Sequence, residues 1–139
     1  MEFIRISEDE FPALKPLQCG YKAEIGEEAP GEEQFASLFH AIKTGQILFY
    51  GCAENDRLVG CCSITPTYST FDYRRGGVLE DFYILPAYRH RGIARELLQF
   101  AYHDSGASSL TVGCADCDLE MYRALGFRIP LGNLLAYDG

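Results

Sequence analysis

The sequence predicts one α+β domain built on a mixed β-sheet, and three observations support this prediction. The chain has 139 residues, enough for one domain with a real core and too few for two ordinary domains. Its hydrophobic fraction of 47% and charged fraction of 23% are typical of a globular protein rather than a disordered one. Apolar residues change from helical to strand-like spacing along the chain. No repeat or low-complexity segment divides residues 1–139, so we expect a single domain.

The N-terminal half predicts a strand, two helices and a hairpin. Ser7 followed by Glu10 is a capping-box pattern ahead of the first helix, whose first turns would contain Pro12. Apolar residues at three- and four-residue spacing predict the second helix, which Gly45 would end. A polar turn at 54–56 separates two apolar runs, which is typical of an antiparallel hairpin. The elements predicted here are a strand at 3–7, the helix after it, a helix at 32–43, and strands at 47–53 and 57–68.

The C-terminal half predicts strands and helices in alternation, which favours a parallel crossover. A break at Gly76 and Gly77 precedes the first of these strands, and Pro86 halts it. The longer helix would be closed by the turn at 104–106, and the shorter one by Gly126. The elements predicted here are strands at 78–85, 109–115 and 133–137, and helices at 92–103 and 118–125.

Positive charge is concentrated in one loop, although the chain carries a formal net charge of -8. Arg89, His90, Arg91 and Arg95 surround Gly92, between a predicted strand and a predicted helix. The first turn of a helix has unpaired backbone N–H groups and a partial positive charge, which attract anions. Arginine side chains add charge-assisted hydrogen bonds to phosphate. The loop therefore predicts a site for a pyrophosphate or a phosphorylated nucleotide.

Other phosphate loops do not fit this sequence. The P-loop pattern G-x-x-x-x-G-K-S/T and the dinucleotide pattern G-x-G-x-x-G are both absent. From the residues alone, an ordinary charged surface stays open as the alternative.

Three segments in register resemble the GNAT-type N-acetyltransferase superfamily. Residues 89–94, RHRGIA, match its acetyl-CoA pyrophosphate pattern R/Q-x-x-G-x-G/A, after a strand and before a helix. Residues 121–127, MYRALGF, match its closing Y-x-x-x-G-F element. The stretch LEDFYIL at 79–85 is similar to the diamine and polyamine N-acetyltransferase branch. The resemblance is strong from about residue 47 onward and implies a sheet flanked by helices on both faces.

The resemblance implies acetyl-CoA as co-substrate and direct attack of a primary amine on its thioester. The pantetheine arm would pair with a splayed strand, where a backbone N–H would also polarise the thioester carbonyl. The pyrophosphate would lie on N–H groups of the basic loop, supported by the side chains of Arg89 and Arg91. The cofactor-binding residues implied are Phe82, Tyr83, Ile84, Arg89, His90, Arg91, Gly92, Ile93, Ala94 and Arg95.

Two residues would handle protons, because a protonated amine cannot attack and a thiol leaves more easily than a thiolate. The resemblance makes Tyr122 the acid that protonates the leaving sulfur and Glu80 the base, acting through a water. An ordinary core tyrosine and an outward-facing strand carboxylate stay open as alternatives. Asp81 would contact the cationic substrate. In an unbroken strand Glu80 would share a face with Phe82, and Asp81 would face away.

The acidic N-terminal third favours a cationic substrate. Residues 1–33 hold nine acidic and three basic side chains, a net -6 of the total -8. Such a surface disfavours nucleic acid and attracts cations, although a solvated acidic face would explain it as well. We expect the acceptor to be a diamine, a polyamine or a lysine-like compound. An aminoglycoside, a protein or peptide amine, and a non-catalytic acyl-CoA-binding regulatory module remain alternatives.

The remaining expectations concern thiols, metals, membranes and assembly. The six cysteines are expected to be free thiols, and Cys114-x-x-Cys117 lacks two further ligands for a metal, so no metal site is expected. No stretch is apolar enough to span a bilayer and the first residues lack a signal-peptide pattern, so we expect a cytoplasmic protein. The family resemblance makes a homodimer an expectation.

Overall fold

Five strands form one mixed sheet in the computed structural model, which describes residues 1–139. The strands lie in the sheet in the order in which they occur in the chain. Two short 3-10 helices, Pro86–Tyr88 and Asp116–Asp118, precede the third and fourth α-helices. The elements in chain order are β1 (Glu2–Arg5), α1 (Phe11–Glu24), α2 (Glu32–Lys43), β2 (Leu48–Glu54), β3 (Arg57–Ser69), β4 (Arg74–Ile84), α3 (Ile93–Ser105), β5 (Leu110–Val112) and α4 (Leu119–Leu125).

The four pairings of the sheet confirm the predicted hairpin and the predicted crossover. Strands β1 to β4 pair antiparallel, and β4 pairs parallel with β5 through the connection that contains α3. Parallel neighbours need such a long connection because a tight turn reverses the chain direction. The N-terminus of α3 therefore lies just beyond the C-terminal end of β4.

The sheet buries a hydrophobic cluster on each face, which confirms that helices flank both faces. One cluster joins α3 to the sheet through Leu79, Ile93 and Leu97. The other joins α1 to the sheet through Leu14 and Phe49 and contacts partly buried residues of α2. Each face is closed because an uncovered apolar sheet face is unstable in water.

The first helix begins later than the sequence predicted. Glu10 accepts hydrogen bonds from the Ser7 backbone N–H at 3.1 Å and from the Ser7 hydroxyl at 2.9 Å. These bonds close a turn before the helix, and α1 begins at Phe11 with Glu10 as its N-cap residue. The assignment of Ser7 as the cap was therefore wrong, whereas Pro12 does lie in the first turn.

The glycine pair does not break the sheet, because β4 begins at Arg74 and contains both glycines. Gly76 pairs with Thr67 and Gly77 with Pro66. A Cβ at Gly77 would lie 2.5 Å from Cγ2 of Ile64, so this position requires glycine for close packing. The predicted break was wrong because a close approach between strands gives the same residue type as a turn.

The strand predicted at 133–137 is not formed, and residues 127–139 contain no helix or strand. Leu134, Leu135 and Tyr137 are 93%, 88% and 96% exposed. The prediction was wrong because a strand needs a partner edge, and β5 is paired for only three residues.

None of the helices combines the length and the apolar character that crossing a bilayer requires.

Candidate active site

The two C-terminal strands of the sheet separate and leave one edge of β4 open. The pairing of β4 with β5 ends at Leu79 and Val112. Beyond this point β4 continues for five residues, Glu80–Ile84, with β3 as its partner on the other side. A backbone edge without a strand partner has free N–H and C=O groups that an extended ligand can pair with.

A β-bulge lies at the point where the strands separate. The register of β3 and β4 shifts between Cys61 and Ser63, and Asp81 has a positive φ of 52°. Glu80 pairs with Ser63 of β3. Ser63 lies on the same face of β3 as Cys61, which belongs to the hydrophobic cluster between the sheet and α1. Phe82 instead packs against the cluster below α3. Glu80 and Phe82 therefore lie on opposite faces of the sheet. The alternation expected for an unbroken strand does not apply here, because the extra residue reverses it.

The bulge places Asp81 on the same side of the sheet as Glu80, facing α1. Burial raises the pKa of the Asp81 carboxyl, and the negative charge of Glu80 adds to this effect. Lys22, the Gln18 amide and the Ser63 hydroxyl act in the opposite direction. Asp81 is thus a poorly solvated carboxylate with a nearby ammonium group, whereas the Glu80 side chain is exposed.

Tyr122 lies on α4 and is partly buried against the α3-side cluster. Its ring meets that of Phe127 edge to face, with centroids 6.0 Å apart. Burial raises the pKa of the Tyr122 hydroxyl to about 12, and Tyr21, Asp118 and Cys114 add to the shift. The hydroxyl therefore keeps its proton at neutral pH and can act as a hydrogen-bond donor.

Tyr21 on α1 lies near the predicted site residues Tyr122 and Asp81, and sequence reasoning missed it. It raises the pKa of Tyr122, and burial and the charge of Asp81 raise its own pKa. Its ring meets that of Tyr83 at 6.4 Å. The sequence held one indication of this contact, Gly20 in the middle of a helix, where a Cβ would lie 2.8 Å from the Tyr83 hydroxyl.

The basic loop ends in the first turn of α3, as predicted. Gly92 is the N-cap residue with a φ of 80°, and His90 also has a positive φ of 63°. Ile93 is buried and anchors the helix in the core, so only its backbone can face a ligand. Ala94 is partly buried and small. The first-turn N–H groups of α3 have no acceptor within the helix, so they can bind an anion.

Two of the three arginine side chains are engaged within the protein. Arg89 donates to the Ile84 carbonyl at 2.8 Å and pairs with Glu24 of α1 at 2.6 Å. Arg95 donates to the Ala124 carbonyl at 2.7 Å, which ties α3 to α4.

Arg91 instead stacks over the Tyr88 ring at 5.1 Å and is exposed. Its guanidinium group is the one best placed to meet a phosphate from solvent. Arg89 and Arg95 instead hold the loop and the start of α3 in position through their bonds within the protein.

The cysteines form no cluster with other metal-binding side chains. All six are free thiols, and Cys114 and Cys117 are exposed. The structure contains no group of three or more His, Cys, Asp or Glu residues suited to a metal ion. Burial raises the pKa of the Cys52 thiol to about 11 and that of Cys62 further, so these are inert core thiols.

The amino-acid sequence matches the model of one known protein family. The model described as "Acetyltransferase (GNAT) family" matches residues 5–127, most of the chain. The protein therefore belongs to the GNAT acetyltransferase family, whose members use acetyl-CoA as co-substrate. The splayed edge of β4 and the first turn of α3 fit such a ligand, because together they offer unpaired backbone groups to an extended chain and to a pyrophosphate.

Solved structures share the fold along the whole chain. A probable acetyltransferase is 22% identical, with a TM-score of 0.84 and complete coverage of both chains. A predicted acetyltransferase from Clostridium acetobutylicum, solved with acetyl-CoA, is 14% identical with a TM-score of 0.79, covering 98% of this chain and 95% of that one. An aminoglycoside acetyltransferase from an uncultured soil metagenomic sample, solved with sisomicin, is 13% identical with a TM-score of 0.83, covering 99% and 95%.

No curated protein sequence matches the chain significantly. The proposed place in the diamine and polyamine branch thus remains a prediction.

Proposed function

We propose that this acetyltransferase acetylates a primary amine on a small cationic molecule, a diamine, a polyamine or a lysine-like compound. The observation that carries the proposal is the bulge in β4, which turns the carboxylates of Glu80 and Asp81 to the same side at the splayed edge. Two neighbouring carboxylates, one of them poorly solvated, favour a substrate that brings its own positive charge.

The co-substrate would lie along β4 and across the start of α3. When bound, acetyl-CoA supplies an activated acetyl group as a thioester. Backbone groups of Phe82, Tyr83 and Ile84 would hold the pantetheine arm, and an N–H of this stretch would polarise the carbonyl. N–H groups of His90, Gly92, Ala94 and Arg95 would bind the pyrophosphate, with Arg91 as the nearest free charge.

The carboxylates would prepare the amine. Asp81 would bind the ammonium form of the substrate, and Glu80 would remove a proton from it through a water molecule. Glu80 is exposed, so a water can reach it without a buried path. The neutral amine then forms the C–N bond while the C–S bond breaks.

Tyr122 would deliver a proton to the departing sulfur. Its raised pKa keeps the hydroxyl protonated over the pH range in which amines become neutral. The proton given to sulfur by Tyr122 is recovered from solvent, and the proton taken by Glu80 returns to solvent. Each turnover thus leaves both residues unchanged.

An amine panel tests the proposal. Acetyl-CoA consumption is measured by loss of thioester absorbance with putrescine, spermidine, lysine, an aminoglycoside and a short peptide. Thiol-trapping dyes are avoided because the protein has six cysteines. We expect putrescine, spermidine or lysine to accelerate consumption well above hydrolysis, and mass spectrometry to find one added acetyl group on an amine.

Faster turnover of the aminoglycoside or the peptide than of any diamine, polyamine or lysine would overturn the proposed substrate class. Bound acetyl-CoA without consumption by any of the five would contradict the assigned roles of Glu80 and Tyr122.

A further inference from the structure

The side chain of Arg89 is held at three points within the protein. Its Nε donates to the Ile84 carbonyl at 2.8 Å, and its guanidinium group pairs with the Glu24 carboxylate at 2.6 Å. The guanidinium carbon also lies over the Tyr83 ring, 5.6 Å from the ring centroid. A planar guanidinium group with two hydrogen bonds in different directions and an aromatic face beside it has little freedom to turn. Its orientation is therefore set by the protein itself.

These contacts join the end of β4, the loop that follows it and α1. Ile84 is the last residue of β4, and Arg89 directly precedes His90 in the basic loop. The hydrogen bond from Arg89 to Ile84 closes the chain between them onto the end of the strand. Glu24, the last residue of α1, holds the same side chain from the other element. The direction of the backbone where it enters His90 therefore depends on both bonds.

Close packing between α1 and β4 gives the ion pair a firm base. Tyr21, one helical turn before Glu24, meets the Tyr83 ring with centroids 6.4 Å apart. A Cβ at Gly20 would lie 2.8 Å from the Tyr83 hydroxyl oxygen, so the helix and the strand are in close contact. Because α1 has little room to shift on β4, Glu24 is a fixed partner for Arg89.

The position of Glu24 is not explained by the stability of α1. The C-terminal end of a helix carries a partial negative charge, which repels a carboxylate there. The side chains of Arg89 and Glu24 are 34% and 46% exposed, and ion pairs this exposed to water add little to the stability of a fold. The pair is better explained by what it does to the loop that follows Arg89.

We propose that Glu24 is a positioning residue for acetyl-CoA, which acts through Arg89 to hold the N–H groups of the basic loop in their pyrophosphate-binding direction. The proposal rests on the proposed function, which places the pyrophosphate on this loop. A loop that is ordered before the ligand arrives loses less conformational entropy on binding, so the affinity rises. Arg89 keeps its bonds to α1 and β4, and Arg91 supplies the free charge.

The experiment is a double-mutant cycle on acetyl-CoA binding. Calorimetric titration gives the dissociation constant for the wild type, Glu24→Gln, Arg89→Ala and the double variant. Glu24 is exposed at the end of α1, so the fold should persist. Asp104→Asn is the matched control, because Asp104 pairs with Arg5 at the same 2.6 Å in the last turn of α3, away from the loop.

We expect Glu24→Gln to raise the dissociation constant of acetyl-CoA about fivefold, the effect of one partly exposed ion pair. In the Arg89→Ala background the same substitution should change this constant by less than about twofold, because Glu24 acts through Arg89. With the best amine of the panel, Glu24→Gln should raise the KM of acetyl-CoA and leave kcat within about twofold. Asp104→Asn should leave all three values unchanged.

Tighter binding of acetyl-CoA to Glu24→Gln would overturn the proposal, since it would show that Glu24 competes with the phosphate for Arg89. An unchanged constant, or an equal rise in the Arg89→Ala background, would overturn it as well. Arg91→Ala separates this failure from that of the proposed function. If Arg91→Ala weakens binding and Glu24→Gln does not, only the positioning role fails. If neither weakens it, the proposed place of the pyrophosphate fails, and the positioning role fails with it.

Discussion

Two tyrosines in different regions of the molecule, one wholly buried and one partly buried, have similarly raised pKa values. Burial is the main cause that raises the pKa of both Tyr50 and Tyr122 to about 12. Tyr50 is wholly buried between the sheet and α3, its ring meets that of Phe100 at 5.9 Å, and its hydroxyl has no hydrogen-bond partner. Tyr122 is only partly buried and shares its surroundings with Tyr21 near the splayed strands. A shifted pKa alone therefore does not identify a catalytic residue; access to a ligand site is needed as well.

The largest expected difference is in turnover. Tyr122→Phe should lower kcat about a hundredfold, the usual size of general acid catalysis, with little change in acetyl-CoA binding. Tyr50→Phe is the matched control and should leave kcat unchanged. The check is steady-state kinetics with the best amine of the panel, together with the dissociation constant of acetyl-CoA. An unchanged kcat in Tyr122→Phe would remove this residue from the chemistry.

A second difference concerns the arginines of the two regions. Replacing Arg89 and Arg91 together by alanine should raise the acetyl-CoA KM at least tenfold, because the charge of Arg91 next to the phosphate is lost and the loop is no longer held by the bonds of Arg89 to Ile84 and Glu24. Arg5, which pairs with Asp104 at 2.6 Å beside Tyr50, provides the control. Arg5→Ala should leave this KM unchanged. A normal KM in the double variant would mean that the pyrophosphate lies elsewhere.

In one respect the two tyrosines should behave alike. A tyrosine with a raised pKa in the folded state contributes stability that is present below its unfolded pKa of about 10 and is lost as pH rises through about 12. Between about pH 10 and about pH 12, the free energy of unfolding of the wild-type protein should therefore fall relative to that of Tyr50→Phe and that of Tyr122→Phe. Urea unfolding at several pH values measures the difference. Parallel curves for wild type and variants would contradict the shared burial effect.

The smallest expected effect is on stability at neutral pH. Tyr50→Phe should leave the free energy of unfolding unchanged or raise it by up to about 1 kcal/mol, because it removes a buried hydroxyl without a partner. Urea unfolding at pH 7 is the measurement. A loss of more than about 1 kcal/mol would show that the Tyr50 hydroxyl is hydrogen-bonded in solution.

The order of elements up to α4 and the position of the basic loop before α3 could be predicted from the sequence because they depend on local patterns. The helix that follows Gly92 and the short helix that ends at Gly126 both form where predicted. Glycine with a positive φ at these two caps is a local requirement that a sequence can display.

The bulge at Asp81 and the pairing of Arg89 with Glu24 could not be predicted in this way. The bulge depends on the register between β3 and β4, and the ion pair joins residues that are 65 positions apart. Such features arise from tertiary packing, which alternation within one strand does not encode. The Tyr21 side of the site escaped prediction for the same reason.

Hydrogen exchange with and without acetyl-CoA tests the central claim most directly, that the splayed edge of β4 and the start of α3 bind the co-substrate. We predict that acetyl-CoA slows amide exchange within 80–84 and 90–95, and that exchange around Tyr50 in β2 stays unchanged. Protection in another region, with residues 80–84 and 90–95 unaffected, would contradict this account of the active site.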